Sequence, residues 1–165
     1  MLKLTKKADY GLIALKHLSG RYRSSVAEQS ASAKEIADAY GIPLALLSKI
    51  LQKLCKAGFL MSEHGTNGGY RLARDPREIT ALQVIREIDG PIILTACFTE
   101  HGECNQSVTC TVREPLRKVH EGILSLLSSI SISSMSQDEP PDSEAVRLYD
   151  VELTRGGPLQ QAPRA

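Results

Sequence analysis

Tryptophan is absent from the 165 residues, and aromatic side chains of every kind make up only 4%. With 42% hydrophobic residues a packed core is still available, but it has to be aliphatic. No run of eighteen apolar residues occurs, so no membrane-spanning helix can form. The opening MLKLTKKADYGLIAL carries charges inside its apolar pattern and lacks a small-residue cleavage site. It reads as a folded helix and not as a secretion signal, and the chain is expected in the cytoplasm. There is no internal repeat. No nucleophile–base set, metalloprotease motif or phosphate-binding loop is found, which makes an enzyme the least favoured class.

Charge is present but unevenly placed. Residues 1–80 hold 13 Lys/Arg against 7 Asp/Glu, a balance of +6, whereas residues 81–165 hold 7 against 12, a balance of −5. A basic first half beside an acidic second half points to a polyanion facing the first half alone.

Leu2, Leu4, Tyr10, Ile13, Ala14 and Leu18 recur at helical spacing and predict a helix over 5–21. The polar stretch 22–32 reads as a loop. Ser32 and Glu35 then form an S-x-x-E capping pattern before a short helix ending at Tyr40, where Gly41 suits a left-handed cap. Pro43 fits the first position of a further helix, whose Leu44, Leu47, Leu51 and Leu54 make one stripe with Ile50 beside it, and Gly58 stops it. Two short helices joined by a tight glycine-containing turn are a helix-turn-helix. Strand-like runs at 59–63 and 70–73 follow, and Asn67-Gly68 between them is a strong hairpin signal. A hairpin in that place is a wing.

The exposed face of the second helix carries Ala45, Ser48, Lys49, Gln52, Lys53 and Lys56. A recognition helix puts its N-terminal residues against base edges and its lysines on phosphates. Ser48 and Lys49 are therefore candidate base contacts, Ala45 a candidate for a thymine methyl, and Lys53 and Lys56 candidate phosphate contacts. The wing offers His64, Thr66, Asn67 and Arg71, while Ser32 and Lys34 add donors at a helix N-terminus where anions are favoured. Lys3, Lys6 and Lys7 are further phosphate candidates from the first helix.

Beyond the wing, a helix is predicted over 79–88, capped by Thr80 or by the Asp75-Pro76 turn, and then a loop over 89–111. Val112, Leu116, Val119, Ile123, Leu126, Leu127 and Ile130 predict a long helix with Pro115 in its first turn. After Ser131 the chain turns to Ser, Pro, Gln, Asp and Glu and is expected to be disordered. The expected organisation is a DNA-binding unit over 1–80, a helix, cysteine loop and long helix over 81–132, and a tail over 133–165.

Four cysteines argue against a disulfide framework in a cytoplasmic chain. Cys55 lies on an apolar helix face and reads as core. Cys97, Cys104 and Cys110 fall within fourteen irregular residues at C-x6-C-x5-C spacing. Three soft thiolates on one loop suit zinc or an iron–sulfur centre, with His101, Glu103 or a residue from elsewhere as fourth ligand. No C-x2-C or C-x4-C knuckle is present. A thiol redox switch or unligated surface cysteines are the other readings.

The start LKLTKKADYGLIAL, the stretch AKEIADAYGIPLALLSKILQKLCKAGFL, the wing GTNGGYRLARDP and the three-cysteine loop together resemble the Rrf2 family of winged-helix regulators, over about residues 1–130. The resemblance implies a mainly α fold with a small β-hairpin, that is, a winged helix-turn-helix followed by a long C-terminal dimerisation helix over 112–130. It implies a cytoplasmic homodimer, a repressor bound to operator DNA. It also implies an iron–sulfur cluster, 2Fe–2S ahead of 4Fe–4S, on Cys97, Cys104 and Cys110, reporting cluster status, redox state or nitric oxide. Asp9 lies where the nitric-oxide-sensing branch supplies a carboxylate ligand from the other subunit. Arg113 stands where the iron–sulfur cluster regulator branch has a His ligand, Ser48 where it has a Glu, and His64 where it has a wing Arg. Within the family the chain looks closest to regulators of cluster-assembly operons. The alternative within this class is a winged-helix regulator responding to thiol oxidation or zinc.

Overall fold

Thr5 opens the first helix: its extended backbone (φ −74°, ψ 154°) places the hydroxyl to accept the amide of Ala8, satisfying an otherwise orphaned donor. The chain is described by a computed structural model over residues 4–22, 29–63, 68–98 and 109–136. Helix α1 runs Lys6–Arg21 and buries Ala8, Gly11, Ala14, Leu15 and Leu18, the three-and-four spacing of one helical face. Helix α2 (Ala33–Tyr40) is capped by Ser32, and Gly41 ends it at φ 63°, a left-handed conformation that glycine adopts without strain. Helix α3 (Leu44–Lys56) follows at once, with Pro43 as its N-cap, one position earlier than the sequence reading placed it.

Strands β1 (Leu60–Glu63) and β2 (Gly69–Leu72) pair antiparallel, with Leu60 opposite Leu72 and Glu63 opposite Gly69. Helix α4 (Ala81–Asp89) starts with a complete capping box between Thr80 and Gln83. A single 3-10 turn spans Ala96–Phe98, helix α5 spans Arg113–Ser129 and helix α6 spans Ile132–Ser136.

The core is aliphatic, as its composition requires. Leu15, Leu18, Ile36, Leu47, Leu51, Leu54, Ile79, Val84 and Ile132 are fully buried, with Phe59 the one aromatic side chain buried among the described residues. No polar or charged side chain is buried among the described residues. Cutting any of these Leu or Ile side chains back to Ala costs about 2–5 kcal/mol.

Two features differ from the sequence reading. Ala31, in the expected loop, forms an isolated bridge to Tyr70, with hydrogen bonds of 3.0 and 2.8 Å, and so lies beside the hairpin as a third strand position. Gly69 makes this approach possible, because a Cβ there would lie 2.6 Å from the carbonyl oxygen of Ala31. Residues 132–136, at the start of the tail expected to be disordered, also fold, and the rest of that tail lies outside the described residues. Ser131 bridges Thr80, the Ile132 amide donates to the Ile79 carbonyl at 2.8 Å, and Ile132 is wholly buried. Ile132 fills the core between α1 and the residues before α4, a long-range packing role that a serine-rich local sequence does not announce.

Candidate nucleic-acid interface and cysteine segment

Helix α3 divides cleanly. Leu47, Ile50, Leu51 and Leu54 are buried, while Ala45, Lys49, Gln52, Lys53 and Lys56 are exposed and Ser48 is half-buried. Leu44 departs from the expected stripe and is exposed. At the first position of the helix its side chain leans back past the N-terminus, beyond the core layers. Lys53 is not a free cation: its Nζ donates to the carbonyl oxygen of Ile88, in the last turn of α4, at 3.2 Å.

Ser32 Oγ accepts the amide of Glu35 at 3.0 Å, but the capping box expected from the sequence closes only halfway. The Glu35 carboxylate instead pairs with Arg21, fastening α2 to the end of α1. Lys34 is exposed in the first turn of α2. Arg71, on β2, pairs across the hairpin with Glu63 at 2.6 Å, so its charge is already partly balanced; such part-exposed pairs contribute up to about 1 kcal/mol. His64, Thr66 and Asn67 lie outside the described residues.

Behind the wing, the Arg74 guanidinium lies 4.6 Å from the centre of the Phe59 ring. On the far side of α1, His17 meets Tyr40 edge to face, with Nδ1 3.3 Å from the Tyr40 hydroxyl. Burial, and then the nearby Arg21, hold the His17 imidazole below its ordinary pKa.

The cysteine segment leaves the helical body at Gly90, which sits at φ 87° directly after α4. Cys97 lies in the 3-10 turn, half-buried, with its Sγ 3.0 Å from the Thr95 hydroxyl. The next residue, Phe98, stacks against His120 of α5 with ring centres 5.3 Å apart. Cys110 is a half-buried free thiol just before α5. Cys104, His101 and Glu103 lie outside the described residues. Among the described residues no three His, Cys, Asp or Glu side chains come together as a metal-binding group. Cys55 is half-buried against the core, and burial pushes its thiol pKa up, which keeps it protonated and inert. Asp9 is exposed in the first turn of α1.

The Rrf2 family profile, described as an iron-dependent transcriptional regulator, matches residues 4–138. The chain belongs to the Rrf2 family. The regulator NsrR of Geobacillus kaustophilus is 33% identical over 138 residues, covering 83% of this chain and 91% of that protein. The structure of CymR (YrzC), the global cysteine regulator of B. subtilis, superposes with a TM-score of 0.71 at 26% identity, over 85% of this chain and 100% of CymR. T. potens IscR superposes with a TM-score of 0.63, also at 26% identity, over 99% of this chain and 94% of IscR.

This Rrf2 chain is thus a DNA-binding transcriptional regulator with the winged-helix fold. Its helix-turn-helix is the pair α2–α3 and its wing is the β1–β2 hairpin. No helix among the described residues is long and apolar enough to cross a membrane. The long helix of this Rrf2 chain, α5, has no buried residue along its 17 positions. Val112, Val119 and Leu126, all on the apolar stripe, are 58%, 53% and 45% exposed.

Proposed function

We propose that this Rrf2 regulator is a cytoplasmic homodimeric repressor whose DNA affinity is set by an iron–sulfur cluster on Cys97, Cys104 and Cys110. The observation that carries it is the placement of the thiols. Cys97, in the 3-10 turn seven residues after Gly90, and Cys110, just before α5, are free and half-buried on the segment that joins α4 to α5. Thiolate donors are what an iron–sulfur cluster takes, and such a cluster supplies a centre that changes charge or falls apart with redox state. Asp9 of the partner subunit is the proposed fourth ligand, consistent with its exposure and with Arg113 in the place of a histidine. The exposed stripe of α5 is the proposed dimer contact, since an apolar helix face buries itself against a second copy.

On the DNA side, Ser48, Lys49 and Ala45 face the major groove, Leu44 adds apolar surface at the same helix end, and Lys53 and Lys56 face phosphates. Ser32 keeps its hydroxyl proton free for a phosphate while its oxygen caps α2, and Lys34 stands beside it. His64, Thr66, Asn67 and Arg71 approach from the wing. Dimeric readers need half-sites about one helical turn apart, so a shift in the spacing of the two α3 helices changes affinity. Anaerobic purification, with iron, sulfide and the visible spectrum recorded, tests the sensing claim. Cys104→Ala is expected to abolish the chromophore. Colourless, iron-free wild type after anaerobic reconstitution sinks the cluster.

A second reading, a thiol-oxidation or zinc sensor, draws support from the likeness to CymR. Mass spectrometry under oxidant favours it if a Cys97–Cys110 or Cys104–Cys110 disulfide appears without metal.

A further inference from the structure

The last turn of α4 is where three parts of the molecule meet. The recognition helix reaches it through Lys53, whose ammonium donates to the Ile88 carbonyl oxygen at 3.2 Å. That carbonyl is one of the last four of the helix, which have no partner within it, and a cation is favoured at that end. Helix α1 reaches it twice. The Thr5 hydroxyl and amide donate to the two carboxylate oxygens of Asp89 at 2.6 and 3.3 Å. Gly11 gives the Ile88 side chain its place, since a Cβ on Gly11 would lie 2.3 Å from Ile88 Cδ1. From the same turn the cysteine segment departs at Gly90, whose φ of 87° turns the chain sharply away.

We infer that the last turn of α4 couples the cysteine segment to DNA, with Lys53 and Asp89 as its positioning residues. The inference rests on the sensing reading proposed above and names the route by which that sensor acts. A displacement of the segment beginning at Gly90 moves Ile88 and Asp89, which are its immediate neighbours in the chain. Through Ile88 the motion reaches Lys53 and tilts α3; through Asp89 it reaches the start of α1, the helix against which α3 packs. Lys53 has one ammonium for two acceptors. On the α4 carbonyl it braces the recognition helix, and on a DNA phosphate it leaves the end of α4 without its cation. The two sites therefore compete for the same group, which is a coupling free energy that must act in both directions.

The test uses the full-length protein, anaerobically reconstituted with iron and sulfide or stripped with chelator. The probe is a fluorescent duplex selected from a random library by the wild-type protein. The quantity read is the ratio of Kd values between the two forms, together with the visible spectrum and melting temperature of each variant. Wild type is expected to show a ratio of about fivefold or more, the range of ordinary allosteric couplings. Lys53→Met and Asp89→Ala are each expected to bring the ratio to within about twofold of one, while keeping the wild-type spectrum. Lys53→Arg, which retains a cation for the carbonyl, is expected to keep most of the ratio. If Lys53 serves only as a phosphate contact, Lys53→Met weakens both forms equally and Asp89→Ala changes nothing; the unchanged ratio overturns the coupling alone. A wild-type ratio of one overturns the sensing reading and the coupling together. Both side chains are exposed, so neither substitution threatens folding.

Discussion

Replacing Gly69 with alanine should destabilise this protein by an amount the structure allows to be worked out. The new Cβ would lie 2.6 Å from the Ala31 carbonyl oxygen, 2.7 Å from its carbon and 3.1 Å from the Ser32 nitrogen. All three are backbone atoms, which cannot swing aside as the end of a side chain can. Relief requires that Ala31 draw away from β2, losing the two hydrogen bonds it shares with Tyr70, about 1 kcal/mol each. Residual crowding adds about 1–3 kcal/mol. The stiffer unfolded chain returns about 0.5–1 kcal/mol. The net is a loss of about 2–4.5 kcal/mol, or roughly 10 °C in melting temperature for a folded part of this size. Thermal unfolding of chelator-treated protein, followed by circular dichroism, reads it directly. Gly20→Ala is the control: it lies on α1 with nothing within 4 Å of its would-be Cβ, and should stabilise by about 0.5–1 kcal/mol. A Gly69→Ala protein melting within about 2 °C of wild type would refute the packing of Ala31 on the wing. A secondary effect on DNA affinity is expected, because Ser32, the cap of α2, is the next residue.

Ile132→Ala should cost about 2–5 kcal/mol in a denaturant titration, the range for emptying a fully buried aliphatic site; a cost under 1 kcal/mol would show that α6 does not dock. The pKa of His17 is lowered by burial and then by Arg21, so its protonation favours the unfolded chain. Stability should fall as pH drops below about 6.5, its unfolded value, until the folded value is passed. His17→Gln should flatten that slope, and an unchanged slope would assign it to other groups. Val119→Glu combined with Leu126→Glu, both exposed in the single chain, should convert a dimer to a monomer in sedimentation velocity. A dimer that survives both charges would exclude the α5 stripe as its contact.

What was legible in the sequence was what local chemistry decides. Ser32 and Thr80 cap helices within three residues of themselves, and the stripes of α3 and α5 show in spacing alone. The spacing in α1 picks out the buried Ala14 and Leu18 but also Leu4, which is exposed, and passes over the buried Ala8 and Leu15. Gly41 punctuates because only a residue free of Cβ strain turns there cheaply. The missed features depend on partners far along the chain. Ala31 pairs with Tyr70 through backbone atoms, to which side-chain patterns are blind. Glu35 has two possible partners, the Ser32 amide and Arg21, and proximity in space chose the arginine. Leu44 shares the spacing of the core stripe but falls beyond the end of the core. Ile132 sits between serines two residues after Ile130, without the repeat that marks a helix. Of the candidate site, the outward lysines of α3 could be read directly. The engagement of Lys53 with α4 could not, because nothing in the spacing of Lys53 and Ile88 brings them together.

The return of the chain after α5 bears on how this protein can be cut. Residues 1–80 hold every element of the helix-turn-helix and wing, yet the hydrophobic interior beneath them is sealed by Ile132, supplied from the far end of the long arm. A fragment ending at the wing would open a hole the size of an isoleucine and expose the face of α1 that α6 covers. The arm is consequently tethered to one body at both ends, like a bucket handle, and it forms one folding unit with the helix-turn-helix and wing.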